Sequence, residues 1–209
     1  VTDYRNCLEK QWITRLRTAA KVEINQELCF GDNQLTISHQ TFIHRIEEAA
    51  SMFFAGETFG NTEIRVSHKI LGRHPSALTK RKEELKPEDE TIYYQRMAFC
   101  FHIRTICREM NGEEVHLCIG GVRSLNEENL YGKKSPEKFK IFIGWRVRVC
   151  SNLMLTCDGL TGRLEVMGDT DIYIAALKLF QTFNPEQNLR LLETLGRTMI
   201  SQEQFCQII

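Results

Sequence analysis

Residues 139–157 read FKIFIGWRVRVCSNLMLTC, with an apolar side chain at nearly every odd position. Period-2 alternation of this length places the odd side chains on one buried sheet face. Its backbone groups then need strand neighbours to bond, so the chain must supply a sheet around this segment. The even positions, which carry Arg146, Arg148 and Asn152, must point to the opposite face. What that second face meets is the functional question posed by the sequence.

The neighbours are legible nearby. Phe99, Phe101 and Ile103 alternate in one arm (97–107), and Val115, Leu117 and Ile119 alternate in another (114–123). Pairing Glu109 with Glu113 puts both apolar sets on one face and leaves Met110, Asn111 and Gly112 as a three-residue loop, with Gly in the left-handed conformation. A two-residue Asn-Gly turn would send the two sets to opposite faces, which argues against it. EIRVSHKIL (63–71) alternates as a further strand, a turn falls at Asp158-Gly159, and a short strand near 163–167 completes a second hairpin.

Helices flank this sheet in sequence. Ser38 is placed to cap a helix that carries Phe42, Ile43, Ile46, Ala49, Ala50 and Phe53 at helical spacing and ends near Gly56. Another helix runs from Ile172 to Phe183, where Asn184-Pro185 stops it and opens the next, which ends at Gly196. GRHPSALTKRKEELKPEDE (72–90) is a long charged connection with one helical turn. The expected fold is α+β: a central antiparallel sheet of four to five strands, a helix before it and two to three after it. Residues 1–34 form an N-terminal extension, 35–183 the core domain and 184–209 a helical segment. The capping-box pair Ser201 and Gln204 lies so close to the last residue that the helix is expected to be cut short.

With 27 basic and 27 acidic residues, the whole chain has no electrostatic bias, so partners must be read from how charge is segregated. No apolar run is long enough for a helical membrane span, so no membrane partner is expected. Eight cysteines without a CxxC or a framework spacing read as free thiols, which points to the cytoplasm.

The face opposite the apolar one collects Arg65, Lys69, His102, Arg104, His116, Arg146 and Arg148, with Glu114 as its acid. Phe142 and Gly144 lie among the arginines, and Lys133 and Lys134 sit in the adjoining polar loop. Arginine pairs with phosphate in two-point fashion, phenylalanine stacks on bases, and glycine lets a backbone approach. Arg146 and Arg148 would stand about 6.5 to 7 Å apart on one strand face, a spacing suited to neighbouring phosphates. The expected partner is single-stranded nucleic acid, bound through Arg65, Lys69, Arg104, Phe142, Arg146, Arg148, Lys133 and Lys134. The competing reading is a polar face that is solvated, or covered by a helix whose Glu47 and Glu48 neutralise the arginines.

Catalytic patterns are weak. GKKS (132–135) lacks the first glycine of a phosphate-binding loop and has no Ser or Thr directly after its first Lys. Cys100, His102, His116 and Cys118 share the even face, but the hairpin pairing above sets His102 opposite Gly120 and Cys118 opposite Arg104, which disfavours zinc. Cys150 has no base at local spacing, and Asp158, Asp169 and Asp171 have turn and helix-start roles. No cofactor is expected and a non-enzymatic protein is favoured; an enzyme such as a nuclease, the third reading, would need Asp and Glu clustered for metal ions on the basic face, and the sheet pattern has no such cluster.

TISH (36–39), EIRVSHKILGRHP (63–75), IYYQRMAF (92–99), NLYGKKSPEKFKIFIGW (129–145) and VCSN (149–152) resemble an uncharacterised family of Bacteroides-type bacteria. That family is found largely with conjugative and phage-like elements. The resemblance covers roughly residues 35–209 and continues beyond the last of them. The strand ending in CSN is also similar to one in a broader group of phage and plasmid proteins of unknown function. Membership implies a mobile-element setting but brings no catalytic residues. The element order is loosely similar to the core of phage single-strand-annealing recombinases, which bind DNA on a basic face of an oligomer. The alternative is a protein–protein interaction or self-assembly module, a homo-oligomer without nucleic-acid binding.

Overall fold

The computed structural model describes residues 17–18, 29–30, 34–35, 37–73, 77, 79–110, 112–125, 136–149 and 152–197. Its centre is an antiparallel sheet of β1 (Arg17–Thr18), β4 (Glu63–Val66), β7 (Arg96–Met110), β8 (Glu113–Ser124), β9 (Glu137–Val149) and β10 (Asn152–Leu160), in that spatial order. A short β11 (Leu164–Val166) also pairs with β9. β2 (Cys29–Phe30) with β3 (Gln34–Leu35), and β5 (Lys69–Arg73) with β6 (Glu90–Tyr94), form separate two-stranded ribbons. Among the described residues, one α-helix, α1 (His39–Phe53), precedes the long strands, and two, α2 (Asp169–Thr182) and α3 (Pro185–Arg197), follow them. The class is the expected α+β. Part of the 1–34 extension joins the sheet, because β1 pairs with β4.

α1 starts where its sequence says it should. The Ser38 side chain accepts the backbone N–H of Thr41 at 3.0 Å, so an otherwise unpaired first-turn donor is satisfied. Its stripe of Phe42, Ile43, Ile46, Ala49 and Ala50 is buried against the odd-position face of the sheet. The Phe42 ring meets Phe99 edge-on at 5.2 Å and packs against Phe139 at 4.6 Å. Gly121 makes this approach possible, since a Cβ there would stand 2.5 Å from Cζ of Phe42. Gly121→Ala is therefore expected to destabilise the fold by roughly 1–3 kcal/mol, the usual cost of overpacking. The measure is a melting curve, and a variant melting with wild type would show that α1 can shift freely.

α2 lies beside α1, tied by Arg45, whose Nε and Nη2 donate to Asp169 at 2.8 and 2.6 Å. α3 opens as expected at Pro185: Asn184 Oδ1 accepts the Gln187 N–H at 3.0 Å, and the buried Trp145 indole donates to the Pro185 carbonyl at 2.9 Å. All three helices thus contribute to one core on the apolar side of the sheet.

Four expectations change. The strand expected over 63–71 is two strands in two sheets, broken at Ser67-His68, so Lys69 opens β5 instead of continuing β4. The long strand expected over 139–157 is a hairpin, for Val149 pairs with Asn152 and the chain reverses between them. Alternation continues in phase across that reversal, which hides it. Asp158-Gly159 lies inside β10, where the register shifts between Thr156 and Gly159, and Gly159 admits Ile143 and Phe183 at distances a Cβ would forbid.

The β7–β8 hairpin also differs. Met110 pairs with Glu113, which leaves the two-residue Asn111-Gly112 connection, with Gly112 at φ 80°. Toward the sheet centre the pairing is Ile103 with Leu117 and Phe101 with Ile119, so the apolar sets still share a face. Both facts hold because three extra residues of β7, Arg104 to Ile106, interrupt the ladder between Ile103 and Cys107. The segment 58–60 bonds the backbone where the interruption begins. Gly60 N–H donates to the His102 carbonyl at 2.8 Å, and Arg104 N–H to the Thr58 carbonyl at 2.7 Å.

Candidate nucleic-acid interface

Register builds the second face of the sheet in cross-strand rows. Arg65, Ala98, Val122 and Lys140 form one row, and Glu63, Cys100, Gly120 and Phe142 the next. His102, Cys118 and Gly144 form a third, and beyond the interruption come Cys107, His116, Arg146 and Leu155. The middle of the face is therefore a floor of small residues, Ala98, Cys100, Cys118, Gly120 and Gly144, with larger polar side chains around it. α1 lies on the opposite side, where Glu47 accepts from Thr62 and Glu48 pairs with Arg45, so these glutamates do not face the arginines of the sheet.

Arg146 does face a carboxylate. Its Nη1 donates to Oε1 of Glu63 at 2.9 Å, with side-chain exposures of 23 % and 44 %. Glu63 stands three strands away on β4, and the two side chains can meet only because the residues between them are small. Burial works against the Arg146 charge, but the bond and charge of Glu63 more than offset it and raise the pKa of the guanidinium. Glu63 has the same parity as Arg65 in EIRV, so the sequence carried this signal, although the charge count on that face did not include it.

The other anticipated residues are spread. Arg65 is half-buried on β4, and Arg104 is exposed within the interruption of β7. Lys69 is exposed but belongs to the β5–β6 ribbon, so it is not on this face. Phe142 is on the face, yet its ring covers Gly120 and it is only 9 % exposed, which leaves little surface for a base to stack on. Arg148 follows Arg146 on β9 and pairs in register with Leu153, but its side chain lies outside the described residues, as do Lys133 and Lys134. Asn152 pairs with Val149, not among the arginines. Lys140, overlooked in the alternation, joins Arg65 in the first row.

The thiols and imidazoles also sit differently from expectation. His102 is opposite Cys118, Cys100 is opposite Gly120, and Cys107 is opposite His116. The His102 and His116 rings are 5.4 Å apart. Burial lowers the pKa of His102, and the charges of His116, Arg146 and Arg104 add to this against the opposing pull of Glu63. Cys118 is fully buried and its pKa is raised by a hydrogen bond with Cys100 and then by burial, so it is a protonated thiol. Cys107 is raised too, chiefly through its hydrogen bond with Glu114. Cys100, Cys107 and Cys118 are free thiols. Acidic side chains gather at the hairpin tip, where Glu109 pairs with Glu114.

No described helix is long and apolar enough to cross a membrane. A family model described as "Domain of unknown function, B. Theta Gene description (DUF3871)" matches residues 26–209. No curated protein and no solved structure matches the chain.

Proposed function

The chain belongs to the DUF3871 family of unknown function, and from its own geometry we propose a non-enzymatic protein that binds single-stranded nucleic acid on the β4–β7–β8–β9 face. One observation carries this reading. Across β4, β7, β8 and β9, a row of basic Arg65 and Lys140 flanking apolar Ala98 and Val122 crosses a sheet face whose described helices lie on the other side. Basic rims with an apolar floor suit a polyanion that also presents flat, apolar bases. Arg104 extends the rim, and the acidic hairpin tip bounds it. Arg146 belongs to the same site: an ion pair this exposed is worth only about 0–1 kcal/mol, so a phosphate can compete with Glu63 for the guanidinium. Single strands arise when mobile elements transfer or recombine, and that setting, in the cytoplasm, is part of the proposal.

The test is anisotropy of a labelled oligonucleotide across a range of salt. Wild-type affinity should fall steeply with salt, and Arg65→Gln with Lys140→Gln should flatten the slope of log affinity against log salt by about 1.4, two lost phosphate contacts at about 0.7 each on a single strand. Glu63→Gln should bind more tightly than wild type, because it frees Arg146. Absence of binding at low salt would sink the proposal, as would variants whose salt slopes match wild type.

A further inference from the structure

The interruption at Arg104 to Ile106 does more than reconcile two registers. Before it, even-numbered residues of β7 occupy the second face; after it, odd-numbered ones do, so Cys107 comes up beside His116. Glu114, two residues before His116 on β8, projects from the same face. A thiol, a carboxylate and an imidazole from two paired strands thus converge, with one donor atom from each lying within 4.8 Å of the others. Oε2 of Glu114 is 3.9 Å from Nε2 of His116. We propose that Cys107, Glu114 and His116 bind a zinc-class divalent cation at the hairpin tip, with His102 or a water completing four-fold coordination.

A second, independent feature points to a ligand. Nδ1 of His116 and Nδ1 of His102 are buried without a hydrogen-bond partner among the described residues, so each imidazole has a nitrogen free for a ligand, while Nε2 of His116 is the atom placed toward Glu114. Buried imidazole nitrogens ordinarily find partners. The ring of His102 lies against Gly60, where a Cβ would collide with it, and its centre is 5.4 Å from that of His116. Tetrahedral zinc has bonds of roughly 2.3 Å to sulfur and 2.0–2.2 Å to nitrogen and oxygen, so its ligand atoms stand roughly 3.3–3.8 Å apart. Drawing the three donors together by about 1 Å is within the reach of side-chain rotation near an exposed turn.

The donor set selects the metal. Thiolate with imidazole favours zinc and its neighbours over magnesium or calcium, which seek all-oxygen shells. Arg146, beside His116, opposes a cation, but its charge is engaged by Glu63. Binding would replace the Cys107–Glu114 hydrogen bond and release the Cys107 proton to solvent, leaving thiolate and carboxylate to neutralise the ion. The metal would fix the tip of a hairpin whose ladder is broken directly behind it. The proposal does not rest on nucleic-acid binding, although Arg146 borders both sites.

The test uses the full chain, stripped with a chelator and titrated with cobalt(II) and then zinc(II). The expected result is one equivalent of cobalt with a thiolate-to-cobalt charge-transfer band, abolished by stoichiometric zinc. Cys107→Ser should remove the band, and His116→Ala should weaken binding by about 100-fold or more. Cys100→Ser should keep both. Should a variant misfold by circular dichroism, Glu114→Gln at its exposed position supplies the comparison and should weaken binding at least about tenfold. No stoichiometric binding by wild type, or a charge-transfer band that survives Cys107→Ser in a folded protein, overturns the assignment.

Discussion

Arg123→Met is expected to destabilise the protein by about 3–5 kcal/mol and to lower its melting temperature by about 10 °C. Arg123 continues the core-facing parity of β8 and is 2 % exposed. Its guanidinium donates to the Glu137 carboxylate and to the Ile37 carbonyl, and it lies 4.6 Å from the centre of the Phe139 ring. Glu137 also accepts the Ile37 N–H, at 2.9 and 3.2 Å. The residue that leads into α1 is thereby bonded through both backbone groups to an ion pair on the sheet. Removing the arginine strands a largely buried carboxylate and an unpaired carbonyl, and uncompensated groups of this kind are costly. The double change Arg123→Met with Glu137→Met should be milder than the sum of the two singles, because no charge is then left alone. A single variant that melts within about 2 °C of wild type would refute this account.

The second large effect concerns acid. His39 is buried and its pKa is depressed to about 3, first by burial and then by the charge of Arg123, against a hydrogen bond with the Tyr94 carbonyl at 2.9 Å that favours the proton. The folded value lies below the unfolded value of 6.5, so below that pH the unfolded chain takes up a proton that the native one refuses. The stabilisation is complete above pH 6.5 and is lost as pH falls toward 3, at about 1.4 kcal/mol per pH unit. Between pH 6.5 and 5, where most carboxylates stay ionised, the protein should lose roughly 2 kcal/mol. Urea unfolding at several pH values reads this directly, and His39→Gln, which keeps a donor for Tyr94, should flatten the dependence in that window. Equal slopes for the two proteins would assign the acid sensitivity elsewhere. Arg123→Met should soften it in part, since one cause of the depression disappears.

His39 gave no sign in the sequence and Arg123 only half of one, and the reasons are physical. His39 stood in TISH as a family string and at the start of a helix, and nothing local says that its ring will reach a carbonyl of β6. Arg123 stood at a core-facing parity behind Leu117 and Ile119, which is itself a sign of a buried pair; its partner, fourteen residues on across a loop, has no local signature. By contrast, α1, the Asn184-Pro185 boundary and the two sheet faces were legible because they rest on period, caps and alternation. The reversal at Val149 and Asn152 was hidden by alternation that stays in phase, and the break after Val66 by alternation that continues into another sheet. Glu63 was plain from parity alone. The Cys107 cluster could not be found, because it depends on a phase change in β7 that only the paired strand reveals.

That phase change gives the hairpin two independent rulers. A one-residue slip in an uninterrupted ladder turns every side chain of the strand to the wrong face. Here the pairing from Cys107 to Met110 is separated from the pairing below Ile103 by three residues, the first of which, Arg104, donates its N–H to the Thr58 carbonyl, while Gly60 holds the His102 carbonyl just before them. Insertions or deletions at the Asn111-Gly112 end are thereby confined to the tip, and Phe99, Phe101 and Ile103 keep their places in the core. The tip can change its chemistry over time while the sheet behind it stays the same.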